Sequence, residues 1–222
     1  MGKLIVIEGT DCSGKETQTK KLVERLKGEN KKVIKFSFPN YDSPTGKIIG
    51  GPYLGKPSIC NTWFDNPIKL DPKIASLYYA ADRRYNFETI NKYLNENYIV
   101  ILDRYTPSNM AHQGCKIESK QERLELYKWI EELEYKLLEL PRPDIILFLH
   151  MPVDYIEQLR KNRTELDVHE LDRNYLESAE QTYLELVDLY DYKKISCVKS
   201  DNIKTIDEIH EEVYNYIEKI SI

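Results

Sequence analysis

Cysteine is scarce and scattered in this chain. The 222 residues include four, Cys12, Cys60, Cys115 and Cys197, and no two stand at C-x-x-C spacing. Neither a zinc site nor a disulfide framework is indicated, and a reducing, cytoplasmic setting is expected. Positive charge is not in surplus either: 32 Lys and Arg face 37 Asp and Glu, for a formal charge of −5. A broad cationic surface for nucleic-acid backbones is therefore not expected, and small anions are the more natural partners. No apolar stretch approaches membrane-spanning length, and no N-terminal run pairs a basic region with a long apolar core, so we expect neither a membrane span nor a leader. There is no shift of composition and no linker. With 222 residues available for a full core, one α/β domain over residues 1–222 is the expectation.

What the chain does carry begins with Lys3 to Gln18, KLIVIEGTDCSGKETQ. Gly9, four residues, then Gly14 and Lys15 make a phosphate-binding loop in all but its last position. Leu4-Ile5-Val6-Ile7 is β-branched and apolar enough for a strand buried on both faces, and Glu16 to Lys27 repeats apolar residues at helical spacing. A loop so placed presents backbone N–H groups and a helix N-terminus to an anion, with Lys15 adding a point charge. The departure is Glu16, where the pattern calls for the Ser or Thr hydroxyl that sits on Mg²⁺. Thr17 keeps a hydroxyl one residue on.

Further along, Lys31 to Phe38 reads as a second strand and Pro39 to Gly55 as a loop rich in turn formers. From Asp71 to Leu94 the apolar residues Ile74, Leu77, Tyr78, Ala81 and Tyr85 recur at helical spacing, with Asp82, Arg83 and Arg84 among them. Tyr98 to Leu102 is a third buried strand, ending at Asp103-Arg104. An amphipathic helix from Glu118 to Leu140 precedes a fourth strand, Asp144 to His150. A helix then runs from Pro152 to about Arg163, with proline at a favourable first-turn position. The charged stretch Thr164 to Asp172 has little to bury. Asn174 to Tyr190 is helical, Lys194 to Val198 is a short last strand, and Ile203 to Ile220 is a terminal helix. Alternating strands and helices imply a parallel sheet covered on both faces, with ligands beyond the carboxyl ends of its strands.

That rule sends the phosphate loop, Phe38 to Thr45, and Asp103 with Arg104 to one crevice. An Asp directly after a buried strand, downstream of a phosphate loop, has the placement of a residue that holds Mg²⁺ through water; the bland alternative is a capping Asp at a turn. Arg83 and Arg84 are adjacent and cannot share a helix face, so at most one is expected to point at the crevice.

The segments EGTDCSGKETQ, FPNYDSPTG, AADRR, DRYTPSNMAHQG and LPRPDIILFLHMP, in that order over nearly the whole chain, resemble the thymidylate kinase family. The resemblance implies a phosphate-loop NTPase fold: a five-stranded parallel sheet with helices on both faces and a small lid, about residues 160–172. It implies transfer of the γ-phosphoryl group of ATP to a deoxynucleoside monophosphate, usually dTMP, with Mg²⁺, commonly as a homodimer. The loop Gly9, Thr10, Asp11, Cys12, Ser13, Gly14, Lys15, Glu16 and Thr17 is then the ATP site, and Lys15 holds the phosphates. Asp11 matches a carboxylate that contacts the acceptor's sugar hydroxyl, and Phe38 and Pro39 match the start of the acceptor loop. Tyr79 matches an aromatic that stacks on thymine, and Arg83 an arginine that meets the base carbonyl. Arg104 matches the arginine that reaches the acceptor phosphate and the transferring group. Ser108, Asn109 and Gln113 lie on the segment that lines base and sugar. Arg160 and Arg163 begin the lid, and Glu16 and Asp103 are the metal candidates.

Three departures qualify the match. Glu16 replaces the metal-binding hydroxyl, Tyr41 stands about where the family has an acceptor-phosphate arginine, and Cys12 is not the loop arginine of some members. Without that arginine, cationic stabilisation of the transferring group falls to the lid, hence to Arg160 and Arg163. Two other readings stay open: a kinase of the same fold acting on another deoxynucleotide or a nucleoside, for which Tyr41 speaks, and a non-catalytic nucleotide-binding module, for which Glu16 speaks.

Overall fold

In a computed structural model that describes residues 2–160 and 172–220, the chain forms a five-stranded parallel sheet. The strands are β1 (Lys3–Gly9), β2 (Val33–Ser37), β3 (Ile99–Asp103), β4 (Ile145–His150) and β5 (Lys193–Ser196), in spatial order β2-β3-β1-β4-β5. The helices are α1 (Lys15–Gly28), α2 (Pro44–Ile48), α3 (Pro72–Asn95), α4 (Thr106–Gly114), α5 (Lys120–Glu131), α6 (Val153–Arg160), α7 (Arg173–Tyr190) and α8 (Ile206–Glu218). The expected parallel sheet covered on both faces is thus present. Of the expected lid, the described residues include only Arg160, which ends α6, and Asp172, whose side chain caps α7 through Tyr175 N–H; Arg163 lies outside them.

Strand alternation divides the core. Ile5, Ile7, Ile99, Ile101, Leu147 and Leu149 pack with Leu22 and Leu26 of α1 and Val213 and Ile217 of α8. On the other face, Leu4, Val6, Val100 and Leu102 meet Ile90 and Leu94 of α3, and Phe148 meets Tyr127 and Tyr183. Every one of these side chains is nearly or fully buried, each contributing roughly 1.5–3 kcal/mol if an aliphatic. The central strands read as continuous apolar runs because both of their faces are covered.

Several boundaries differ from expectation. The second strand starts at Val33 rather than Lys31. The helix expected from Glu118 to Leu140 is α5, after a start at Ser119, followed by a π-helical turn, Glu132–Leu137. The terminal helix begins at Ile206, not Ile203, because Thr205 and Glu208 form a capping box; Asn202–Ile203 pairs instead with Val198–Lys199 in a small antiparallel pair, β6 and β7. Helix α4 was not anticipated. The largest difference is in α3: the helix is present, capped by Asp71 ahead of Pro72, but Ile74, Leu77 and Tyr85 are 45%, 49% and 58% exposed. The buried face is Ala75, Ser76, Ala80, Asp82, Arg83, Ile90 and Leu94.

Candidate active site

Beyond the carboxyl ends of β1, β2 and β3 lie a phosphate loop and, next to it, a cavity. The loop is held from below. Thr10 Oγ1 donates to Met151 O and accepts from Met151 N–H, at 2.7 and 2.9 Å, tying it to the end of β4. A Cβ at Gly9 would come within 2.7 Å of Leu149 O and 2.5 Å of Ser13 Oγ, and Gly14 has φ +80° at the helix cap; these two positions require glycine. Lys15 is 8% exposed, and its ammonium donates to Gly9 O and Thr10 O at 2.9 and 2.8 Å. Burial, together with the nearby Arg104 charge, pulls its pKa down from 10.5 to about 8 against the opposing charges of Asp11, Asp103 and Glu8. Asp103 therefore stands within electrostatic reach of Lys15. Glu16 is exposed in the first turn of α1, where the helix dipole already favours a carboxylate.

Arg104 joins the two halves of the site. It sits in the left-handed region, φ +68°, with its N–H bonded to Ile7 O, a strained conformation of the kind that persists where surrounding structure imposes it. Its guanidinium donates to Asp11 Oδ1 at 2.9 Å, His112 Nε2 at 3.2 Å and Ser108 Oγ at 3.4 Å. Burial favours neutral Asp11, but Arg104, then Lys15 and His112, outweigh it and hold the carboxyl well below its usual range. Helix α4, which carries Ser108 and His112, is anchored on Glu8: this fully buried carboxylate accepts from the N–H of Tyr105 and Ser108 and from the hydroxyls of Ser108 and Tyr183. Burial pushes Glu8 up despite those bonds.

The cavity is lined by Asp11 of the loop, Phe38, Pro39 and Tyr41 after β2, Leu54, Tyr79 and Arg83 of α3, and Arg104, Ser108 and His112. Phe38 and Pro39 are joined by a cis peptide. Tyr79 stands edge-on to Tyr53, with ring centroids 6.0 Å apart at 86°. Of the adjacent arginines, Arg83 turns inward at 2% exposure and Arg84 faces solvent. Seven expected residues thus share one cavity: Asp11, Phe38, Pro39, Tyr79, Arg83, Arg104 and Ser108. Asn109 and Gln113 do not line it. They are buried at 2% and 0% on the inner side of α4, and both polar atoms of the Gln113 amide lack a partner among the described residues.

Three residues of consequence escaped sequence reasoning. Asp82, 1% exposed, accepts from Asn40 N–H and from Ser43 and Thr45 hydroxyls at 2.7 to 2.9 Å, which fixes the acceptor loop. Glu134 holds Arg83, and His112 supports Arg104. Asp82 at least stood beside Arg83 in sequence; nothing local marked the other two.

A parallel sheet with a phosphate loop after its first strand, beside a second cavity that shares one arginine with the loop, defines a nucleotide-binding phosphotransferase fold. The thymidylate kinase family model matches residues 7–213. A thymidylate kinase of Prochlorococcus marinus strain NATL2A is 32% identical over 224 aligned positions, spanning 97% of this chain and 98% of that protein. The Schizosaccharomyces pombe thymidylate kinase is 30% identical over 150 residues, 68% of this chain and 61% of that one. The solved thymidylate kinase of Candida albicans superposes with a TM-score of 0.76 at 26% identity, covering 98% of this chain and 92% of that one. The chain belongs to the thymidylate kinase family.

Proposed function

We propose that this protein transfers the γ-phosphoryl group of ATP to the 5′-phosphate of a deoxynucleoside monophosphate, dTMP, giving dTDP and ADP. The observation that carries the reading is Arg104: bonded to Asp11 of the phosphate loop and lining the acceptor cavity at once, it lies where donor and acceptor phosphates would meet. An acceptor phosphate oxygen attacks the γ-phosphorus as the bond to the β–γ bridging oxygen breaks, and the bridging oxygen leaves with ADP. Lys15 and Arg104 supply positive charge to the phosphates, while Tyr79 and Arg83 hold the base so that the attacking oxygen is positioned; positioning and electrostatics are most of what such a reaction needs.

Among the described residues no three His, Cys, Asp or Glu side chains could hold a metal by themselves. That suits Mg²⁺, which binds through one or two carboxylates plus substrate phosphates and water; Asp103 and Glu16 are the carboxylates we assign to it. When bound it neutralises phosphate charge. Arg160 and Arg163 we assign to the transferring group, so their joint removal should lower turnover more than acceptor affinity. Among the described residues no helix is long and apolar enough to cross a membrane, and the four thiols are free, which supports a cytoplasmic setting. The outward apolar stripe of α3 supports a homodimer through that face.

One feature favours a second acceptor class. Tyr41, with Lys56 Nζ 4.7 Å from its ring centroid, lines the cavity where an acceptor-phosphate arginine was expected, and a nucleoside would need no arginine there. Initial rates with ATP against dTMP, dUMP, dCMP and thymidine decide: dTMP should be preferred, and a preference for thymidine would reject the monophosphate reading.

A further inference from the structure

Glu134 is a wholly buried carboxylate on the π-helical turn Glu132–Leu137. An ion so placed is costly unless every lone pair is used, and here each oxygen takes two donors. Oε2 accepts from Arg83 Nε at 2.6 Å and Thr106 Oγ1 at 2.7 Å. Oε1 accepts from Arg83 Nη2 at 2.5 Å and Asn109 Nδ2 at 2.9 Å. The second Asn109 Nδ2 hydrogen goes to Ser76 O at 3.3 Å.

This network fixes two orientations. A carboxylate and a backbone carbonyl can only accept, so the Asn109 amide must present nitrogen to both, and its Oδ1 is left buried with no donor among the described residues. The Arg83 fork is held through Nε and Nη2, which leaves Nη1 without a hydrogen-bond acceptor among the described residues. The unused groups flanking Glu134 are therefore one donor, on a residue that lines the cavity, and one acceptor, on the residue next to Ser108. A carbonyl beside an N–H, as in the O4 and N3–H of thymine or uracil, complements that pair. The N4 amino group and bare N3 of cytosine oppose it at both points.

Building on the reading of this cavity as a deoxynucleotide acceptor site, we propose that Glu134 is a positioning residue that sets base specificity, by orienting Arg83 and by fixing the polarity of the Asn109 amide. It touches no substrate itself. In Glu134→Gln one oxygen becomes a donor, which faces either the Arg83 fork and Thr106 or the Arg83 fork and Asn109. The clash is relieved by losing half of the fork or by turning the Asn109 amide, and either change spoils the thymine edge.

The test measures kcat/KM for dTMP and dCMP at saturating ATP, with thermal melting as the folding control. Wild type should prefer dTMP. In Glu134→Gln the dTMP-to-dCMP ratio should fall roughly 10- to 100-fold, the scale of a buried hydrogen bond left unmade, through a raised KM for dTMP with the KM for ATP unmoved. The pair Asn109→Asp with Glu134→Gln keeps one carboxylate beside Arg83 and an acceptor at position 109, and should recover the ratio. A folded Glu134→Gln with the wild-type ratio would overturn the proposal, as would failure of the pair to recover it. If Glu134→Gln does not fold, Asn109→Ala decides: the proposal requires its ratio to fall, and an unchanged ratio overturns it. A wild-type protein that ignores dTMP altogether would reject the function, not this positioning role.

Discussion

Arg104 donates through Nη2 to Asp11 Oδ1 at 2.9 Å, with the two side chains 23% and 10% exposed, so the turn after β3 and the phosphate loop meet in one ion pair. Because that pair aims the arginine at the cavity, Asp11→Asn should lower kcat/KM for the acceptor roughly 10- to 100-fold, the range for a hydrogen bond to a charged group. The KM for ATP should rise much less. Equal losses for both substrates would mean that Asp11 serves the phosphate loop as a whole.

Lys15 gives the chain a pH signature. With its pKa at about 8 in the nucleotide-free protein, kcat/KM for ATP should fall about tenfold per pH unit above that value, since this parameter reports the free enzyme. The decline in kcat should come at higher pH, because bound phosphates favour the ammonium. Stability moves the other way. Between about 8 and its ordinary 10.5 the unfolded chain holds more of this proton, so the cost of burying the ammonium, full at lower pH, is relieved as pH rises through that window. Coincident declines of kcat and kcat/KM would place the titrating group elsewhere.

The outward face of α3 should be an interface. Ile74, Leu77 and Tyr85 are each at least 45% exposed on one helix, with Ala81, also exposed, between them. Leu77→Glu should shift the sedimentation of the protein from dimer to monomer, since a charge buried without a partner costs several kcal/mol. Arg84→Ala should leave base preference untouched. A wild-type protein that sediments as a monomer at all concentrations would remove this assignment.

That helix also shows what was legible in the sequence. Its period was plain, but the direction of its apolar stripe was not: Ile74 and Leu77 look like core, yet the core side carries Ser76, Asp82 and Arg83. Polar residues are buried there because their partners, Glu134 for Arg83 and the acceptor loop for Asp82, come from remote segments that no local pattern announces. Strands such as Ile99-Val100-Ile101-Leu102 were readable because burial on both faces leaves an unbroken apolar run. Helix α4 was not, since its nine residues include Pro107 and Gly114 and its support from Glu8 is tertiary. The loop glycines and Lys15 were legible because the geometry they satisfy is local.

Glu16 remains the least typical residue of the loop. If its carboxylate contacts Mg²⁺, directly or through water, Glu16→Gln should raise the Mg²⁺ concentration needed for half-maximal rate and Glu16→Thr should restore it, a hydroxyl or carboxylate being a suitable hard ligand. An identical metal titration for both variants and wild type would leave Glu16 only its place in the first turn of α1.

The most direct measurement follows the γ-phosphate of labelled ATP in the presence of Mg²⁺ and dTMP. Label should appear in the β-position of dTDP, and Lys15→Ala should slow its appearance by about 10²-fold or more, as when one electrostatic stabiliser is removed, while melting as wild type does. No transfer to dTMP by the wild-type protein, or transfer undiminished in Lys15→Ala, would contradict the account.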